Sequence, residues 1–278
     1  SNSAVDKILV AAGTYEFTSY MCWPSISNND YTTGGRSAIC IDRALTIEAQ
    51  VPGSVLLVAK GGRRIFDIQS GGTARLIGLS ITGGSASAGG GGRVRSNAVA
   101  TFEGCDIHNN HATHHGAGVM VESNGVANFE GCHIHNNNAT ESSFVGLSCV
   151  GLPCWGGGGV AIGPNGVANF NACNIHDNSH RSGGGLVVRI GGTATLTDSN
   201  VYSNQALVHF GGGLLVRGTA MLTNSAIYDN TAADDGFNVF VLSGGQLTTS
   251  YLEDLTGFEG SVTVLPTPLP PLPPLPPP

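Results

Sequence analysis

The chain is poor in charge. Of its 278 residues only 11% are Asp, Glu, Lys or Arg, and the lysines are just Lys7 and Lys60. With a formal net charge of -7 and no basic stripe, the sequence argues against a nucleic-acid partner, because neutralising phosphates takes clustered Lys and Arg. Aromatic residues are scarce at 6%. No apolar run approaches the roughly 18–20 residues needed to cross a bilayer as a helix, so no transmembrane segment is expected. No charged stretch leads into an apolar one at the start, so no secretory leader is visible, and the beginning at Ser1 is expected to be that of a processed or trimmed form.

What the chain has instead is glycine, 42 residues of it, and one phrase used repeatedly. Residues 102–110 read Phe-Glu-Gly-Cys-Asp-Ile-His-Asn-Asn, and the phrase returns at 129–137 and 170–178. Weaker copies stand at 196–204 and 222–230, and a degenerate one at 76–84. The slot of Cys105 is held in turn by Leu79, Cys105, Cys132, Cys173, Ser199 and Ser225, at spacings of 26, 27, 41, 26 and 26. The long step carries an insertion, residues 142–155. A period of this size marks a solenoid, and strand-and-turn composition without helical periodicity marks a β-solenoid.

Side-chain parity predicts the shape of a coil. Ala100 and Phe102 alternate with polar neighbours and face inward, as do Cys105 and Ile107, so a bend at Glu103-Gly104 must reset the alternation. A third strand follows at 119–121, with equivalents at 160–162, 186–188, 214–216 and 239–241. Three short strands in a coil of about 26 residues predict an all-β, right-handed parallel β-helix, about nine coils and ~43 Å long. The expected organisation is one β-helix domain over residues 1–265, with irregular insertions at 18–39 and 142–155, followed by a Pro-rich tail at 266–278. Asn110, Asn137, Asn178, Asn204 and Asn230 recur at one corner, where stacked amides are expected to bond coil to coil. The glycine clusters 89–92, 156–159, 183–185 and 211–213 mark another corner. They lack the Lys-Ser/Thr ending and following helix of a phosphate loop.

Two resemblances follow from these residues. Residues 7–17, Lys-Ile-Leu-Val-Ala-Ala-Gly-Thr-Tyr-Glu-Phe, resemble the entry coil of pectin-lyase-like right-handed β-helices. That likeness implies an amphipathic capping helix ahead of the strand, for which only six residues stand before Lys7. The Asn-x-Ala and Gly-Gly-Gly phrases over residues 72–244 resemble the repeats of polymorphic outer-membrane proteins and autotransporter passengers, which implies the fold and says little about activity. The tail holds nine of the chain's 13 prolines: Pro266, Thr267, Pro268, Leu269, Pro270, Pro271, Leu272, Pro273, Pro274 and Leu275, then three more. It is expected to form a polyproline II rod, ~40 Å long, with Leu269, Leu272 and Leu275 along one edge to dock on a neighbour. Its composition resembles cell-wall hydroxyproline-rich glycoproteins, which implies hydroxylation and O-glycosylation.

Candidate chemistry is thin. A polygalacturonase-like site needs paired carboxylates and a basic partner. Asp234-Asp235 is the sole Asp pair, no Gly-His-Gly follows it, and no Arg-x-Lys exists. His108, His135 and His176 share one outward slot, extended by Tyr202 and Tyr228, with His133, His114 and His115 nearby. A solvent-facing stack is expected there, with no metal or cofactor, and a flat ring-bearing stripe is a candidate carbohydrate face. Cys105, Cys132 and Cys173 are expected to be buried, whereas Cys22 with Cys40 and Cys149 with Cys154 are expected disulfides of an oxidising compartment. Asn138-Ala139-Thr140 is an N-glycosylation sequon. The expected function is a non-enzymatic extracellular or cell-surface structural rod that assembles with copies of itself. A carbohydrate-binding adhesin is the alternative, and a polysaccharide lyase or hydrolase a third reading.

Overall fold

The computed structural model describes residues 6–19, 36–140, 156–250 and 259–265. They form a parallel β-helix in which each strand pairs, in parallel, with its counterpart one coil further on. Coil-to-coil connections of this kind within a sheet take the right-handed path. Sheet one has ten strands, from Lys7–Val10 to Ser261–Val264. Sheet two has eight, from Gly13–Phe17 to Ala226–Tyr228, and sheet three eight, from Ser37–Ile41 to Val239–Val241. Among the described residues no helix is long and apolar enough to cross a membrane.

Two expectations need correcting. The coil has four sides rather than three. A sheet of six short strands, from Ser85–Ala88 to Thr231–Ala232, lies between sheets two and three along the chain. Its later members are two residues long, as in Asn138–Ala139 and Gln205–Ala206, too short to leave a periodicity in the sequence. The first insertion also ends sooner than residue 39. Ser37–Ile41 is a regular strand of sheet three, with Ile39 opposite Phe66 and Ile41 opposite Ile68.

In most coils each of the four bends contains a residue with positive φ, the exceptions among the described residues being the bends at Asp42-Arg43 and Arg217-Gly218 after sheet three. After sheet one it is Gly104, Gly131, Ala172, Asp198 or Asn224; after sheet two, Asn109, Asn136, Asp177, Ser203 or Asp229. After sheet four it is Gly116, Gly157, Gly183, Gly211 or Gly236, and after sheet three Asn97, Asn124, Asn165, Gly191 or Gly244. Gly, Asn and Asp tolerate this left-handed conformation best, which is why they punctuate the chain. At Gly183 space matters as much as φ. A Cβ there would sit 2.1 Å from Cγ2 of Val187.

Equivalent side chains stack in columns because the register holds. In sheet one Phe102, Phe129 and Phe170 pair in order, with rings parallel at 4.9 and 4.8 Å, between Leu76 and Leu196. Cys105, Cys132 and Cys173 are buried free thiols. Each donates to a carbonyl of the preceding coil: Leu76, Phe102 and Phe129 respectively. The same slot passes to Ser199 and Ser225, whose hydroxyls accept from the backbone N–H of Cys173 and Ser199. Hydrogen bonding to the neighbouring thiol and burial push Cys132 and Cys173 above the ordinary thiol range, which keeps them un-ionised. Sheet three departs from simple alternation. Its outward Val187, Leu215 and Phe240 are buried too, forming a second apolar cluster with Phe210 and Leu242.

Candidate functional site

The outer face of sheet two carries the ring column. His108 pairs with His135, His135 with His176, His176 with Tyr202, and Tyr202 with Tyr228. Centroid separations are 5.2, 4.9, 4.8 and 5.2 Å, and no interplanar angle exceeds 9°. The strand spacing of a parallel sheet imposes this distance, so the rings stack wherever the repeat places a ring in the slot. Their faces are consequently taken up by one another. At the ends of the column His108 stands beside Thr82 of the preceding coil, and Tyr228 is 41% exposed.

The ring edges are engaged as well. Nε2 of His108 lies 2.9 Å from Ser80 Oγ, and Nε2 of His135 lies 2.8 Å from Asp106 Oδ1. Each therefore reaches the residue two before its equivalent in the preceding coil. On the other edge, Asn109 Nδ2 donates to Nδ1 of His108 (2.7 Å), and Asn136 Nδ2 to Nδ1 of His135 (2.8 Å). An acceptor Nδ1 requires a protonated Nε2 in neutral imidazole. His108 thus donates to Ser80 and is not poised to activate it as a nucleophile. His176 has the opposite arrangement, with Nδ1 at 2.8 Å from the Asp177 carboxylate. Nitrogen-15 spectra at neutral pH are expected to show Nε2–H tautomers for His108 and His135 and Nδ1–H for His176. A uniform tautomer along the column would contradict this network.

Burial lowers the pKa of His108; the Asp106 carboxylate opposes this and His135 adds to it. For Asp106, burial acts upward but is outweighed by the His135 hydrogen bond and the charges of His108, His135 and His133, leaving it below the usual carboxylate value. Tyr202 is raised by burial and by neighbouring Tyr228 and Asp177. Among the described residues, no group of three or more His, Cys, Asp or Glu is placed to hold a metal ion.

The asparagine corner is a continuous buried ladder. Asn110 donates from Nδ2 to Ile81 O and to Asn137 Oδ1, both at 3.0 Å, and its backbone N–H donates to the same Oδ1. Asn137, Asn178, Asn204 and Asn230 repeat the pattern one coil at a time. Asn238 closes the ladder by accepting from Asn230, only eight residues later. Sequence reasoning missed Asn238, since it stands off the period. The one available signal was an Asn beside the next corner, at the point where sheet two runs out.

The ends of the rod differ from its middle. In the first rung Ile8 is 42% exposed and Tyr15 37%, whereas their partners Ile47 and Leu57 in the second rung are 5% and 3% exposed. Leu9 beside them is 55% exposed. Both lysines lie here, Lys7 paired to Glu48 at 2.7 Å and Lys60 to Glu16 at 3.3 Å. At the far end, Val264 and Leu265 are exposed beside the last strand of sheet one.

Other expected sites are dispersed or lie elsewhere. Asp234 contacts His209 Nδ1 at 3.3 Å. Three of the arginines are committed to structural partners: Arg95 holds buried Asp67 with two bonds of 2.8 and 2.9 Å, Arg93 pairs with Glu122, and Arg64 donates to carbonyls of Gly89 and Ala88. Asn138 is exposed on the outer side of the fourth sheet, and Thr140 Oγ1 of its sequon lies 3.0 Å from His111 Nε2. Cys40 is disulfide-bonded. Cys22, the partner expected for it, lies outside the described residues, as do Cys149, Cys154 and the tail from Pro266 through Leu275. Compared with known protein families, curated proteins and solved structures, the chain finds no match.

Proposed function

We propose that the chain is a non-enzymatic structural rod of an extracellular or cell-surface setting that assembles end to end with copies of itself, its Pro-rich tail docking on the neighbouring subunit. The observation that carries this reading is the open first rung. The inward position of Tyr15 is covered in every later coil, and that of Ile8 is covered through Thr249 and uncovered again at Val264 in the last strand. Fully burying one such aliphatic side chain is worth about 1.5–3 kcal/mol. Among the described residues, Lys7–Val10 is an edge strand that presents backbone groups to any strand of the same direction, and the last strand, Ser261–Val264, has the same length and belongs to the same sheet. Lys7 guards that edge weakly, because Glu48 already neutralises it.

Light scattering and negative-stain microscopy of the full chain test the reading. The wild-type chain is expected to associate with rising concentration. Ile8→Glu is expected to leave monomers with unchanged circular dichroism, and removal of residues 266–278 to weaken association. A monomeric wild-type rod at millimolar concentration would overturn it.

A carbohydrate-binding reading keeps one specific support, the free outer face of Tyr228 at the end of the ring column. Tyr228→Ala is expected to abolish any glycan-array signal. A signal that survives it, but falls with His108, His135 and His176 all changed to Ala, would move the binding face to the ring edges.

A further inference from the structure

The fourth side holds a buried imidazole that a plain scaffold does not require. The inward column of this sheet is Ala86, Ala112, Ala139 and Ala206, interrupted once by His180, which is 1% exposed. The coil before His180 ends its fourth-side strand at Ala139 and then runs into the 142–155 insertion. The imidazole reaches past that coil. Its Nε2 lies 3.1 Å from the carbonyl of His114, 66 residues earlier. Its Nδ1 lies 3.0 Å from the backbone nitrogen of Ser182 and 2.7 Å from the Ser182 carbonyl. Where the middle coil rejoins the rod, a Cβ on Gly156 would fall 2.9 Å from the same Nδ1. Three consecutive coils therefore meet at this ring.

We propose that His180 is a pH-sensitive keystone of the fourth side. Neutral, it ties the His114 strand to the Ser182 turn; protonated, it is expelled and this side of the rod opens locally. In the neutral form Nε2–H donates to His114 O and Nδ1 accepts the Ser182 N–H. A proton on Nδ1 removes the acceptor of the Ser182 N–H, although the Ser182 carbonyl at 2.7 Å offers the new N–H a partner. It also adds a positive charge to a buried site that has the guanidinium groups of Arg181, Arg189 and Arg217 around it. Arg181 and His209 act on His180 directly; His180, Arg189 and His114 act on buried His115, and Arg217 on Arg189. The carboxylate touching this group, Asp234, is held by His209. Burial, reinforced by Arg181 and His209 and opposed by the bonds to Ser182 and His114, lowers the His180 pKa to about 4.

The opened side binds this proton near the ordinary value of 6.5 and the closed side only near 4. Opening is therefore favoured as pH falls through that window, and is independent of His180 above it. At pH 5 the opening constant is expected to be about 30-fold larger than at pH 8.

Hydrogen exchange on the full chain at pH 8 and pH 5, corrected for intrinsic rates, reads this directly. The reporters are the amides of Gly116, Thr140, Ser182 and Gly183, with the amide of Ile134 in sheet two as the internal control. Acceleration of the reporters beyond the control is expected in the wild type. In His180→Ala, which restores the alanine of the column, and in His180→Asn, which keeps a neutral polar group, it is expected to be about 30-fold smaller. A proton titration of the His180 ring accompanies the exchange, because protonation without expulsion, with Nδ1–H donating to Ser182 O, is the competing behaviour. Equal acceleration in wild type and both variants overturns the proposal, as does a ring that titrates near 6.5 while the reporters stay protected.

Discussion

Replacing Asn178 with alanine is expected to cost about 4 kcal/mol in urea unfolding. The side chain is 1% exposed and makes four hydrogen bonds. It donates to Ile134 O and Asn204 Oδ1, and it accepts from the backbone and the side chain of Asn137. Alanine removes all four and strands two buried groups: the Asn137 N–H and one Asn137 amide hydrogen. Each stranded group costs about 1–3 kcal/mol, so the sum outruns the loss from a single ordinary bond. Because each coil of a solenoid touches only its neighbours, the weakened step can also uncouple the two halves of the rod. The loss is then read as a split transition with a reduced total free energy. Asn128→Ala is the control. Asn128 faces outward on sheet one, where its Oδ1 accepts from Asn169 Nδ2 at 2.9 Å, and its loss is expected to cost about 0.5–1 kcal/mol. Equal effects at the two positions would mean that the ladder is a by-product of the repeat and not a source of stability.

The features legible in the sequence are those that one residue type imposes at one spacing. Phe102, Phe129 and Phe170 announced the core column, and the bend at Gly104 followed from parity alone, where the chain has φ of 55°. The four-sided coil was not legible. Its fourth strands present one inward residue each, usually alanine, and alanine carries no hydrophobic signal strong enough to stand out. The glycine clusters were read as a single kind of corner, yet they do two jobs. Gly183 needs positive φ and room beside Val187, whereas Gly185 sits where a Cβ would meet Gly213 O of the next coil at 2.6 Å. Outward parity does not by itself make a residue wet. Phe240 and Leu215 are outward and buried, and Phe210, from the turn before sheet three, lies over Phe240 with ring centroids 4.3 Å apart. Such a contact joins residues of neighbouring coils, and no local pattern encodes it.

The candidate site was legible as a column and not as a chemistry. Equal spacing placed three histidines and two tyrosines in one line, but the partners that decide what those rings can do came from neighbouring slots. Ser80 and Asp106 stand two positions earlier in preceding coils, and Asn109, Asn136 and Asp177 follow one position later. Asp177 in place of Asn reverses the tautomer of His176, a change invisible when only the ring slot is compared. The same logic separates His180 from the other histidines. It occupies an alanine slot, so its meaning comes from the departure and not from the repeat.

Phe129→Ala is expected to destabilise the rod by about 4–5 kcal/mol, at the upper end for loss of a buried aromatic ring. Phe129 is 1% exposed and stacked on both faces, at 4.9 Å from Phe102 and 4.8 Å from Phe170. The cost of such a truncation depends on how far the surroundings relax into the space. Here relaxation is hindered, since the backbone on either side is fixed by five-residue parallel pairing, Val99 to Glu103 above and Val167 to Asn171 below. Neither neighbouring ring can move toward the gap without leaving its own stack or breaking that register. Phe129→Leu provides the contrast. The column already accepts Leu76, Leu196 and Leu222 at the same position, so leucine is expected to cost about 1.5 kcal/mol or less. Chemical unfolding of the two variants beside the wild type gives the comparison. If alanine and leucine cost the same, the core at this level is loosely packed, and stability there would rest on the backbone ladders instead of the ring stack.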